Sequence, residues 1–191
     1  MNNILFINAC VRPESRTRIL AERVLGRLSG SITELELQKE DIRPLDNELL
    51  TKRLGFQEKG DYEDPMFRYA AQFADADEIV IAAPYWDLSF PSFLKVYIEH
   101  ICVVGKTFAY REDGTPYGMC RAKRIIYVTT AGGPVLPGLD FGFDYVKGLA
   151  DTFFGIPEVL RIGIDGIDMV SPGETEAMIK KALSDIEGDI R

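Results

Sequence analysis

Two stretches of the chain carry residues whose types and spacing suit a flat, phosphorylated ligand. The first covers residues 82–92 and places the single Trp of the chain beside a Tyr, between two prolines. Tyr and Trp pack well against planar ring systems, because aromatic rings attract one another in stacked and edge-on arrangements. This stretch therefore predicts one wall of a pocket for a planar ligand, which we call the aromatic loop: Pro84, Tyr85, Trp86, Asp87 and Leu88.

The second stretch is a polar loop that begins at Cys10 and leads into a helical pattern. Ser15, Arg16 and Thr17 stand where that helix would begin. A helix start offers free N–H groups and a positive dipole end, which together bind phosphate well. Ordinary capping of the helix by Ser15 would explain the same hydroxyl group. The spacing thus indicates a phosphate site, with simple capping as the alternative.

A third candidate, which we call the glycine loop, is Thr130-Ala131-Gly132-Gly133. It follows a strongly apolar run at 124–128, which is typical of a buried strand. Two glycines at the end of such a strand let a ligand approach the backbone closely. A plain turn is the alternative for so short a motif.

All three stretches follow predicted strands, and helical patterns separate those strands. Strands are predicted at 3–8, 32–37, 78–81, 124–128 and 156–164, and helices after Ser15 and over 65–73, 91–104, 141–154 and 174–186. Such alternation is typical of an α/β fold with a parallel sheet and helices on both faces. The alternation predicts one doubly wound domain over residues 1–191 with five parallel strands. We expect the flavodoxin-like order 2-1-3-4-5, because it makes the strands that precede the three loops neighbours. In that order the three loops meet at the switch point, where such sheets bind ligands.

Composition excludes several function classes. The net charge of −8 argues against a nucleic-acid partner, because phosphate backbones require a basic surface. No apolar run approaches the ~20 residues that cross a membrane, and the first residues lack the features of a signal peptide. Three cysteines and one histidine lack the spacing of metal ligands, so we expect no metal and a reduced, cytoplasmic protein.

The three loops together suit a flat ring system with a phosphorylated tail, and FMN fits that description. The dinucleotide fingerprint G-x-G-x-x-G is absent after the first predicted strand. A tightly bound NAD or FAD in a Rossmann site is therefore disfavoured.

Four segments match a known family. Residues 84–95 resemble P-x-[YW]-N-x-S-x-P-x-x-L-K, residues 105–110 resemble G-x-T-F-x-Y, residues 129–133 resemble T-x-x-G-G, and Ser15-Arg16-Thr17 resembles S-x-[ST]. On these segments, and over nearly its whole length, the chain resembles the flavodoxin-like FMN-dependent NAD(P)H:quinone oxidoreductases and azoreductases.

This resemblance implies bound FMN, with NADH or NADPH as the reductant. Its phosphate would be held by Ser15, Arg16 and Thr17, beside Cys10. The aromatic loop would lie along the isoalloxazine ring, and Thr130, Ala131, Gly132 and Gly133 would form the opposite wall. Flavin N5 would carry the hydride, so no catalytic side chain is required. Quinones or azo compounds would be reduced by two electrons in a ping-pong cycle, in contact with Tyr85, Trp86 and Tyr117.

The resemblance also implies a homodimer, which agrees with a broad apolar arc on the helix predicted at 91–104. Two residues depart from the family pattern: Cys10 replaces a usual Ser, and Asp87 stands where Asn is common. Two other functions stay open. The acidity of the chain and the predicted fold also fit a non-catalytic electron carrier of the flavodoxin type. The departures at Cys10 and Asp87 would fit a binding or regulatory module that has lost its flavin.

Overall fold

The computed structural model describes residues 2–185, and the predicted end of the last helix at Ile186 lies outside them. Its strands are β1 (Asn3–Asn8), β2 (Ser31–Glu36), β3 (Glu78–Ala82), β4 (Phe108–Tyr110), β5 (Pro116–Gly118), β6 (Arg124–Thr130) and β7 (Glu158–Ile164). Its α-helices are α1 (Arg16–Leu25), α2 (Asn47–Lys59), α3 (Arg68–Asp75), α4 (Ser92–Ile101), α5 (Phe141–Leu149) and α6 (Pro172–Asp185).

Five of the strands form one parallel sheet in the order β2-β1-β3-β6-β7. This is the predicted order 2-1-3-4-5. The fourth and fifth strands of the sheet are numbered β6 and β7 because a separate antiparallel hairpin, β4–β5, precedes them in the chain. The chain crosses from one side of β1 to the other between β2 and β3. The carboxyl ends of β1 and β3 lie side by side there, with Asn8 paired to Ala82.

Side chains of the central strands alternate between two apolar clusters. Ile4 and Phe6 point to one cluster, which they share with α1 and α6. Leu5 and Ile7 point to the other, which they share with α3, α4 and α5. Because successive residues of a strand face opposite sides, this alternation places helices on both faces of the sheet.

One helix is longer than its sequence signal indicated. Only weak helical character is visible at 45–54, yet α2 runs from Asn47 to Lys59 without burying a side chain. Its ends are capped by Asp46, which accepts a hydrogen bond from the Leu49 N–H, and by Gly60 at a φ of 67°. The Arg53 guanidinium also donates to the Glu99 carbonyl at 2.9 Å, which ties α2 to the end of α4.

Two predicted helices end differently from expectation. The helix predicted at 91–104 stops at Ile101, because the Thr107 hydroxyl donates to the Ile101 carbonyl and accepts from the Val103 N–H. The helix predicted at 141–154 widens into a π-helix, Ala150–Phe154, after α5. None of the helices within residues 2–185 combines the length and hydropathy needed to cross a membrane.

Candidate functional site

A cavity of about 260 Å³ opens at the carboxyl ends of β1, β3 and β6. It brings together eight residues predicted for the site: Ser15, Arg16, Thr17, Pro84, Tyr85, Trp86, Thr130 and Gly132. The lining also includes residues that sequence reasoning did not single out: Val11, Arg12, Glu14, Ile167 and Asp168. Loops after three neighbouring parallel strands thus converge on one cavity, as the switch-point geometry requires.

The start of α1 forms one end of this cavity. Ser15 caps the helix, and its hydroxyl oxygen accepts a hydrogen bond from the Arg18 N–H at 3.3 Å. The capping interpretation of Ser15 is therefore correct, and the same residue also lines the cavity. Thr17 is buried, and its hydroxyl lies 2.6 Å from that of Thr130, which joins the helix start to the glycine loop.

Arg16 reaches across the cavity to the loop that follows β7. Its Nη1 donates to the Ile167 carbonyl at 3.1 Å, and its Nη2 forms an ion pair with Asp168 Oδ1. Asp168 was missed because it belongs to no recognisable motif. Its position just beyond the carboxyl end of the strand next to β6 is the signal that could have found it.

The aromatic loop contains a tight two-residue turn. Trp86 and Ser89 exchange both backbone hydrogen bonds, at 3.0 and 2.8 Å. The residues between them, Asp87 and Leu88, have φ values of 51° and 65°. Such turns require left-handed backbone at both central positions, which non-glycine residues adopt at a cost in free energy. The N–H groups of Asp87 and Leu88 take no part in the hydrogen bonds that close the turn.

Backbone and side-chain bonds hold the aromatic loop in place. The Tyr85 N–H donates to the Thr130 carbonyl at 3.1 Å, and the Tyr85 hydroxyl donates to the Leu139 carbonyl at 2.8 Å. The Leu88 carbonyl accepts from the Phe141 N–H at 3.1 Å, at the start of α5. Trp86 remains 38% exposed, so its ring is available to a ligand.

The glycine loop is bound along its length to the loop after β7. Ile167 N–H donates to the Ala131 carbonyl, and Asp168 N–H donates to the Gly132 carbonyl at 3.0 Å. A Cβ at Gly132 would lie 2.2 Å from Asp168 Oδ2, whereas one at Gly133 would meet open space. Gly132 therefore makes room for the Asp168 carboxylate.

Six predicted site residues do not line the cavity: Cys10, Asp87, Leu88, Ala131, Gly133 and Tyr117. Cys10 is buried in the core, where its thiol donates to the Ala82 carbonyl. Burial raises the pKa of that thiol to about 11. Tyr117 lies on the β4–β5 hairpin, with the Arg111 guanidinium 5.4 Å from its ring centre. Among residues 2–185, no group of His, Cys, Asp or Glu is arranged to hold a metal ion.

Comparison with known proteins agrees with this architecture. A family model described as a flavodoxin-like fold matches residues 2–189. The chain belongs to this flavodoxin-like family. It is 34% identical to FMN-dependent NADH:quinone oxidoreductase 2 of Clostridium acetobutylicum, over 96% of this chain and 95% of the relative. The FMN-dependent NADH:quinone oxidoreductase of Clostridium perfringens is 33% identical, over 96% of this chain and 98% of the relative.

A solved structure extends the comparison to three dimensions. The flavodoxin-like chain matches the crystal structure of an azoreductase from Bacillus anthracis with a TM-score of 0.82 and 26% identity. The match covers 97% of this chain and 96% of that one. The matches to the relatives and to this structure thus extend over nearly the whole length of each chain.

Proposed function

We propose that this flavodoxin-like protein is an FMN-dependent oxidoreductase that uses NADH to reduce quinones and azo compounds. The observation that carries the proposal is the cavity between β1 and β3, with phosphate-binding groups at one end and the aromatic loop at the other. The named activities of the relatives and of the matched azoreductase support the same conclusion.

The donor set of the cavity fits the phosphate of FMN. The start of α1 supplies backbone N–H groups, while Ser15 and Thr17 supply hydroxyls and Arg16 supplies a guanidinium. We assign Cys10 a supporting role beneath this loop, because its thiol is buried and its N–H donates to the Asn8 side chain at 3.0 Å.

The aromatic loop fits the polar edge of a flavin ring. The N–H groups of Asp87 and Leu88 lie outside the turn's own hydrogen bonds and would donate to the ring's nitrogen and carbonyl acceptors. Thr130, Ala131, Gly132 and Gly133 would border the ring from the neighbouring strand. The exposed Trp86 ring would contact flat substrates, together with Tyr85 and with Tyr117 of the β4–β5 hairpin.

Bound FMN would supply the redox chemistry, so that NADH, a proton and a quinone give NAD⁺ and a hydroquinone in two successive half-reactions. The chain's own residues would bind and orient.

The test begins with the visible spectrum of the purified protein and its titration with FMN. Under anaerobic conditions NADH should bleach the flavin, and a quinone should restore the colour. Initial rates at several quinone concentrations should give parallel double-reciprocal plots. NADPH, run beside NADH, measures the choice of reductant.

Each alternative predicts a different result. A bound flavin that neither NADH nor NADPH bleaches would identify an electron carrier. A protein that takes up no FMN would identify a flavin-free module. Intersecting rate plots would replace the ping-pong cycle with a ternary complex.

We also propose that the enzyme is a homodimer located in the cytoplasm. The dimer would form through α4, which leaves the Phe93 ring 38% exposed. The cytoplasmic location is supported by three free cysteines, Cys10, Cys102 and Cys120, since thiols persist in reducing compartments.

A further inference from the structure

The guanidinium assigned to the FMN phosphate already has protein partners. Nη1 and Nη2 of Arg16 form a planar fork that matches carboxylate and phosphate oxygens. The fork is engaged by the Ile167 carbonyl and the Asp168 carboxylate, both beyond the carboxyl end of β7. A phosphate that takes both nitrogens in the same way must displace Asp168.

Asp168 is held where it can compete. Its N–H donates to the Gly132 carbonyl at 3.0 Å, and the Ile167 N–H donates to the Ala131 carbonyl at 3.2 Å. The absence of a side chain at Gly132 leaves the space that the Asp168 carboxylate fills. The carboxylate is therefore presented to Arg16 by backbone hydrogen bonds in which Arg16 itself takes no part.

We propose that Asp168 is a specificity-determining residue that competes with the FMN phosphate for Arg16 and sets how tightly the phosphate is held. This inference rests on the proposed function. A site that is competent in only a fraction of molecules binds with an affinity reduced by that fraction. In this protein the fraction of molecules able to bind the phosphate is the fraction in which Arg16 is not paired with Asp168.

The experiment compares FMN with riboflavin, which has the same ring and no phosphate. Each is titrated into flavin-stripped protein, and binding is followed by quenching of flavin fluorescence. Asp168→Asn should lower the Kd for FMN by about twofold to fivefold, the range expected when a partly exposed ion pair no longer competes. The Kd for riboflavin should change less than about twofold, since riboflavin does not need Arg16.

A matched control removes one carboxylate elsewhere. Asp151 is exposed on the π-helix that follows α5. It precedes the amino end of β7, whereas Asp168 lies beyond the carboxyl end of the same strand. Asp151→Asn changes the net charge equally and should leave both Kd values unchanged. Asp168→Ala provides a second variant without the carboxylate, and it should behave like Asp168→Asn.

Arg16→Gln separates competition from direct repulsion of the phosphate. In that background the Asp168→Asn change should have no further effect on FMN, because the group being competed for is gone. If Asp168→Asn lowers the Kd for FMN equally in the wild-type protein and in Arg16→Gln, Asp168 repels the phosphate directly and the proposal is overturned. If Asp168→Asn raises the Kd for FMN in the wild-type protein, Asp168 orients Arg16 and the proposal is likewise overturned.

The outcomes also separate this inference from the proposed function. If the wild-type protein binds FMN tightly and Asp168→Asn has the same Kd, the role of Asp168 is refuted and the proposed function stands. Failure of the wild-type protein to bind FMN refutes both.

Discussion

Asp87 brings a negative charge to the turn assigned to the flavin edge. A carboxylate cannot donate a hydrogen bond when ionised, and its charge opposes electrons added to a nearby ring. Asp87 is exposed, so water weakens this effect without changing its sign. We therefore expect Asp87 to lower the redox potential of bound FMN.

Asp87→Asn should raise the two-electron potential of bound FMN by about 10–30 mV, since a tenfold change in equilibrium is about 30 mV for two electrons. Spectroelectrochemistry of the two holoproteins measures the difference, with Asp151→Asn as the charge-matched control. Equal potentials, or a lower one in Asp87→Asn, would contradict the assignment of this turn to the flavin.

Tyr97 has a fully buried hydroxyl with no hydrogen-bond partner among residues 2–185. Its ring lies 5.8 Å from that of Tyr69, whose hydroxyl donates to Glu40 at 2.8 Å. A buried polar group without a partner loses its hydration and gains nothing in exchange. Two adjacent tyrosines thus differ in whether their hydroxyls stabilise the fold.

Tyr97→Phe should raise the free energy of unfolding by about 1 kcal/mol, and Tyr69→Phe should lower it by about 1 kcal/mol. Urea denaturation of the flavin-free protein gives both values. A loss of stability in Tyr97→Phe as large as that in Tyr69→Phe would mean that both hydroxyls are hydrogen-bonded.

Among the elements, the two-residue turn between Trp86 and Ser89 is the strained one. Asp87 and Leu88 are the non-glycine residues with positive φ within residues 2–185. The positive φ of Leu88 brings its Cβ into steric conflict with the backbone. Leu54 serves as the comparison, because it has ordinary helical geometry within α2. The same substitution at these two positions should therefore act in opposite directions.

Leu88→Gly should raise the free energy of unfolding by up to about 1 kcal/mol, because glycine adopts positive φ without conflict. Leu54→Gly should lower it by about 1 kcal/mol, because glycine is a poor helix former. Leu88 is 42% exposed and Leu54 is 50% exposed, so the two substitutions remove a similar amount of buried apolar surface. Denaturant titration compares them, and a fall in stability in both would show that the turn is unstrained.

Local sequence signals predicted some elements well and others poorly. The first strand was predicted at its observed bounds, because a short apolar run is typical of a strand buried in a parallel sheet. The end of α4 was missed, because the hydroxyl that stops it belongs to Thr107, beyond the helix. The length of α2 was missed because its caps, its hydrogen bond to α4 and the packing of Phe56 against Phe67 stabilise it, and these contacts involve residues outside the helix.

For the molecule as a whole, burial of three thiols couples stability to alkaline pH. Burial raises the pKa values of Cys10 and Cys102 from 9.0 to about 11 and that of Cys120 to about 12. Above pH 9 the unfolded chain releases these protons and the folded chain keeps them. The unfolded state then binds fewer protons, so stability falls as pH rises.

The free energy of unfolding should therefore decrease between about pH 9 and pH 11, by up to about 1.4 kcal/mol per pH unit for each thiol. Denaturation at a series of pH values measures the slope. Cys102→Ala should give a shallower slope, whatever its effect on stability at neutral pH. An unchanged slope would mean that the Cys102 thiol ionises as readily in the folded protein as in the unfolded chain.

The proposed dimer is also a property of the whole molecule. Phe93→Asp should convert it to a monomer, because a carboxylate buried in an apolar interface loses its hydration. Ile19→Asp is the matched control, since Ile19 is 41% exposed on α1, on the other face of the sheet. Sedimentation velocity should show a dimer for the wild type and the control. A wild-type monomer would refute the dimer, and a dimeric Phe93→Asp would place the interface elsewhere.

The sequence by itself determined the alternation of strands and helices and the three loops that follow strands of a parallel sheet, because these depend on short-range periodicity and on the parallel topology that follows from it. For Ser15 it left helix capping and phosphate binding as alternatives. Only the tertiary structure decided the rest of the site. Arg16 and Asp168 are 152 positions apart, and no local pattern links them. The burial of Cys10 likewise depends on the segments that pack around it. The turn with positive φ at Leu88 is joined to the start of α5 by a hydrogen bond from the Phe141 N–H. Contacts between distant segments are set by packing and loop geometry, which a single sequence does not encode locally.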